Sequence, residues 1–150
     1  MSQSLAERIV GSWKLVNAEV TFSDGRPAAQ PFGPDATGRI IYSPNGRMSA
    51  VLMAGPRAGF SGSLETSGRA STEEKAGAFD TYLSYSGRFH IEDDTVVHTV
   101  DMALVPAVIG HELRRRATLS ADRLKLSYER MPPSGVTRHF VLDWQREPPT

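Results

Sequence analysis

Hydrophobic and polar residues alternate with a period of two along most of the chain, and this predicts a succession of half-buried β-strands. In residues 95–104, Val96, His98, Val100, Met102 and Leu104 share one face, while Val97, Thr99, Asp101 and Ala103 share the other. After a short loop with Pro106 and Gly110, the same reading groups His111, Leu113, Arg115, Ala117 and Leu119. An imidazole and a guanidinium thus stand in apolar rows. A polar group on a core-facing row needs a partner, because leaving it unsatisfied costs roughly 1–3 kcal/mol.

Other segments repeat the pattern. The row Trp13, Leu15, Asn17, Glu19 turns from apolar to polar midway, as in a strand that bends, bulges or passes from a packed floor into a polar cavity. Pro44-Asn45-Gly46 predicts a tight hairpin, with Ile40, Tyr42, Met48, Ala50 and Leu52 facing inward. Tyr85, Gly87, Phe89 and Ile91 form the next inward row. Leu124, Leu126 and Tyr128 follow, then Val136, Arg138, Phe140, Leu142 and Trp144. The proline- and glycine-bearing stretch 27–38 reads as a long loop, and residues 55–70 as a mobile one. Ser71-Thr72-Glu73-Glu74 has capping-box spacing and predicts a helix over 72–83, too short to span a wall and therefore lying across an opening. About eight strands without βαβ spacing predict an all-β fold, an antiparallel up-and-down barrel whose closure hides its edges and encloses room for a small ligand.

Composition narrows the function classes. The 150 residues predict a single domain, 1–150. Seventeen basic and seventeen acidic residues cancel, so the reading includes no nucleic-acid or membrane partner. Absence of cysteine excludes disulfides, thiolate metal sites and a cysteine nucleophile. With a polar N-terminus and no apolar run of spanning length, a cytoplasmic protein is expected.

Several stretches resemble the small lipocalin-like domain family of bacteria and fungi. They are Gly11-Ser12-Trp13-Lys14-Leu15-Val16, residues 38–49, Tyr85-Ser86-Gly87-Arg88-Phe89, His98, the 106–110 loop, Arg114-Arg115-Arg116 and Leu142-Asp143-Trp144-Gln145-Arg146. Gly11-Ser12-Trp13 matches the G-x-W signature of the calycin barrels. The resemblance implies a short barrel with a central cavity for a small apolar molecule, and places Arg146 over Trp13 in a structural role.

Two functions fit this frame. The first is binding of a small hydrophobic molecule by Tyr42, Met48, Ala50, Leu52, Phe89, Val100, Met102, His111, Leu113, Leu126, Tyr128 and Phe140. The alternative is a cofactor-free isomerase, cyclase or hydratase acting on a compact apolar substrate. In it His98 or Glu19 exchanges a proton and Arg115 holds a developing oxyanion. No H-x-H or H-E-x-x-H spacing supports a metal, and neither metal nor cofactor is expected. Outward Ile41, Val51 and Met53 offer an apolar face that could serve a homodimer.

Overall fold

The computed structural model describes residues 3–57, 59 and 70–150. Strands β1 (Gly11–Phe22), β2 (Thr37–Tyr42), β3 (Arg47–Met53), β4 (Tyr82–Glu92), β5 (Thr95–Ala103), β6 (Glu112–Ser120), β7 (Arg123–Arg130) and β8 (Arg138–Arg146) run in sequence order. Each pairs antiparallel with the next, and β8 returns to β1, so the meander closes into a barrel. The period-two rows supply its core: Ile40, Tyr42, Met48, Ala50 and Leu52 are all buried, as are Leu124, Leu126 and Trp144. At the β2–β3 turn Gly46 takes φ +83°, and Ser43 and Arg47 bond across it. That register puts Tyr42 opposite Met48 on the inner face.

One end of the barrel is packed shut. Trp13 is fully buried there and donates from its indole to the Ile9 carbonyl at 2.9 Å, just beyond the short helix α1 (Leu5–Arg8). The Arg146 guanidinium lies 4.2 Å from the Trp13 ring centroid and donates to the carbonyls of Val10 and Arg8, as the resemblance implied. It therefore ties the last strand to the segment that covers the floor.

Two bulges reset the alternation, and each corrects a row read from the sequence. In β1 the register shifts between Leu15 and Asn17. Trp13 and Leu15 face in before the shift, and Ala18 and Val20 face in after it, which turns Glu19 outward. In β5 the shift falls between the partners of Gly87 and Ser86. Val96, His98 and Val100 are buried, but Met102 pairs with outward Ser86 and is 63% exposed, while Ala103 takes the inward place opposite Tyr85. Gly87 makes this crossing feasible, since a Cβ there would stand 1.9 Å from the Thr99 carbonyl oxygen. Val97 belongs to the outer face as expected, yet the flanking ladder partners His90 and Arg114 leave it no exposed surface.

The helix after the 55–70 connection is α2 (Thr72–Asp80), with the expected capping box between Ser71 and Glu74. It ends three residues before 83, and Tyr82 and Leu83 already belong to β4. None of its residues is buried. Arg57 fastens its C-terminal end by donating to the carbonyls of Ala78 and Thr81. This places α2 at the open end, between β3 and β4. The 55–70 connection itself lies mostly outside the described residues.

Candidate functional site

Toward the open end the barrel keeps a cavity of about 300 Å³. Its wall is mainly apolar, from Ala18, Phe32, Ile40, Ala50, Leu52, Leu83, Leu126, Phe140, Leu142 and Trp144. Pro31 and Phe32 come from the loop before β2, a strand that begins at Thr37 and so ends the expected 27–38 stretch two residues early, and an isolated Ala29–Val20 bridge folds this loop back toward the barrel. Tyr128 and Phe140 stack across the β7–β8 pair with centroids 4.8 Å apart.

Of the residues singled out from sequence, Ala50, Leu52, Leu126, Tyr128 and Phe140 line this space, together with His98 and Arg115. Tyr42, Met48, Val100, Phe89 and Leu113 instead belong to the packed core or its margin, because side chains fill the closed half of the barrel. His111 is exposed in the turn before β6, Met102 is on the outer surface, and Glu19 lies outside the wall. The sequence reading did not assign Tyr85, Arg138 and Trp144 to the site, although it placed all three in inward rows. Arg130 stands on the same side of β7 as Tyr128, at the end of the strand.

His98 has no exposed surface, and both ring nitrogens are engaged. The Tyr42 hydroxyl lies 2.7 Å from Nε2 and the Tyr85 hydroxyl 2.8 Å from Nδ1. Burial, helped by the positive charge of Arg115, pushes the imidazole pKa down to about 3. The ring is therefore neutral near neutral pH. Burial also pushes Tyr85 up to about 12 and Tyr42 well above the usual phenol range, so both hydroxyls keep their protons.

A proton count follows from these states. Two phenolic O–H groups and one imidazole N–H make three donors, but the cluster contains only two contacts. One donor is left over. If it were on Tyr42, which is 1% exposed and enclosed by core, an orphan hydroxyl would cost roughly 1–3 kcal/mol. The favourable arrangement has Tyr42 donating to Nε2 and Nδ1–H donating to the Tyr85 oxygen. The Tyr85 hydroxyl, on the cavity wall, can then donate to an occupant.

The other polar groups of the wall are Arg115, Arg130 and Arg138, with the Tyr128 hydroxyl and the Trp144 indole N–H, and no described lining residue is a carboxylate. Arg115 stacks its guanidinium 3.6 Å from the Tyr128 ring centroid and donates to the Arg114 carbonyl. Arg130 and Arg138 stand directly opposite each other on β7 and β8. The other members of the 114–116 run face outward onto carboxylates, Arg114 on Glu92 and Glu112 and Arg116 on Asp94. His90 likewise faces outward beside Glu92. Among the described residues no group of His, Asp or Glu side chains is arranged to hold a metal ion, and no helix is long and apolar enough to cross a membrane.

Comparison with known proteins bears on the fold. The chain is 34% identical over 85 residues to the 4'-hydroxy-3'-methoxypropiophenone carrier protein ppsC of Aspergillus oryzae (strain ATCC 42149 / RIB 40), an alignment covering 51% of this chain and 77% of that protein. Residues 10–147, from the residue before β1 to the residue after β8, match the lipocalin-like domain. The chain therefore belongs to the lipocalin-like domain family.

Proposed function

We propose that the protein is a carrier that holds one small, largely apolar aromatic molecule in the open-end cavity. The observation that carries this reading is the cavity itself, about 300 Å³ of apolar wall with a few directed donors, the usual make-up of a small-molecule site. The similarity to a protein named as carrier of a propiophenone supports the same class of occupant. In this reading the body of the ligand packs among Leu52, Leu126, Phe140 and Trp144, and its oxygen accepts from the Tyr85 hydroxyl.

The state of His98 favours carriage over acid–base chemistry. A general base works best with a pKa near the operating pH and a nitrogen within reach of the substrate proton. His98 has a pKa near 3 and both nitrogens committed to tyrosines, so its role is to position Tyr85. Glu19, the other acid–base candidate, is turned away by the β1 bulge.

Ala50 offers the direct test. It is buried on the cavity wall, and Ala50→Trp would fill space that an occupant needs. Binding of 4'-hydroxy-3'-methoxypropiophenone and other small aryl ketones, measured by titration calorimetry, should be lost in a variant that keeps the native β-sheet circular dichroism. Undiminished binding in such a variant would move the site out of the barrel.

A further inference from the structure

We infer that the occupant carries an acidic group, a carboxylate or a comparably acidic oxygen, which Arg115 holds and the Arg130–Arg138 pair faces at the mouth. This deepens the carrier reading and rests on it. The cavity wall contains three guanidiniums and, among the described residues, no carboxylate to balance them. Arg114 and Arg116, which flank Arg115 on the outer face, by contrast each lie within ion-pair distance of a Glu or Asp. Nothing in the overall balance of seventeen basic against seventeen acidic residues calls for such a local excess.

The geometry favours an anion over bare solvation. Arg115 uses the face of its guanidinium on Tyr128 and one N–H on the Arg114 carbonyl. Stacking leaves the in-plane edge available, and that edge is the part of arginine that matches a carboxylate with paired hydrogen bonds. Arg130 and Arg138 are direct cross-strand partners, where like charges oppose sheet pairing. An anion between or beside them removes that repulsion. The Tyr85 phenol cannot supply it, since burial holds its pKa up at about 12. An aromatic acid lying among the apolar side chains, with its charged end toward Arg115, would satisfy both halves of the wall.

The test compares trans-cinnamate with cinnamamide by titration calorimetry, two probes of nearly equal size and shape that differ in charge. The acid should bind the native protein at least about tenfold more tightly than the amide at low salt. The ratio should shrink as ionic strength rises. Arg115→Gln should bring the ratio close to unity. If that variant does not fold, the doubly substituted Arg130→Gln/Arg138→Gln protein, altered at exposed positions, should still lower it clearly. A native ratio near or below unity, with the amide bound, would overturn the acidic-ligand inference and leave the carrier reading standing. A high ratio that survives both sets of substitutions would overturn it as well. Failure of both probes and of the aryl ketones to bind would instead remove the carrier reading beneath it.

Discussion

Because His98 is held neutral, stability should fall on mild acidification in a way that one substitution can isolate. The unfolded chain takes up a proton near the ordinary histidine value of 6.5, whereas the folded protein resists until about pH 3. Between those values the unfolded state binds more protons, so the sign is fixed: stability rises with pH across the window and is lost as pH falls through it. One pKa unit corresponds to about 1.4 kcal/mol, so acidifying from about pH 7.5 to about pH 5.0 crosses some 1.5 units of the window and removes roughly 2 kcal/mol. The assay is urea unfolding at both pH values for the native protein and for His98→Gln, which retains a hydrogen-bonding side chain but does not titrate. Glu92 and Glu147 have carboxyl pKa values held below the usual 4.5 by Arg114 and Arg39 respectively, so they titrate below this range. His90, His111 and His139 are common to both proteins and cancel in the comparison. The native protein should lose about 2 kcal/mol more than the variant between the two pH values. Parallel losses would refute the neutral, doubly bonded imidazole and with it the proton count that gives Tyr85 a free donor.

Three further outcomes follow from the same contacts. Tyr42→Phe should cost about 1–3 kcal/mol in urea unfolding by leaving Nε2 unpaired, and aryl-ketone affinity should barely change; Tyr85→Phe should in addition weaken that affinity about tenfold. Equal affinities in the two variants would refute the assignment of the spare proton. Arg146→Met, which removes the Trp13 stack and two carbonyl contacts, should lower stability by about 2–3 kcal/mol without altering ligand uptake. Gly87→Ala should yield no folded protein or lose more than about 4 kcal/mol, as the new methyl meets the Thr99 carbonyl; a mild effect by thermal melting would mean that the β4–β5 pair can part enough to admit a methyl group, and would refute the close crossing.

Period-two rows were sufficient to read the closed barrel, because a half-buried strand must alternate and the turns are marked by residues such as Pro44-Asn45-Gly46. The Ser71–Glu74 capping box likewise announced α2. What the rows could not show was where alternation breaks. The polar turn of the Trp13 row fits a bulge and a polar cavity equally well, and the β5 row carries no such mark, so alternation alone places Glu19 and Met102 inward although each lies just past a register shift. The expected helix over 72–83 runs three residues too far, since its last two positions, Tyr82 and Leu83, belong to β4 and local spacing does not mark that change. The candidate site was legible by face and not by depth. Tyr42, Met48 and Val100 share the inner face with Ala50 and Leu52, but only packing reveals that the closed half is full and the open half hollow. Arg138 was already in the β8 inward row with Phe140 and Leu142. Its significance depended on pairing with Arg130, which no single-strand pattern expresses.

The central claim, that the open half of the barrel holds the ligand, can be tested with the two tryptophans. Trp144 lines the cavity and its indole N–H has no protein acceptor among the described residues, whereas Trp13 is sealed in the floor with its N–H on the Ile9 carbonyl. In a proton–nitrogen correlation spectrum, titration with 4'-hydroxy-3'-methoxypropiophenone should move the Trp144 indole peak progressively to saturation and leave that of Trp13 in place. Binding detected by calorimetry with a stationary Trp144 peak, or with Trp13 moving instead, would contradict the account.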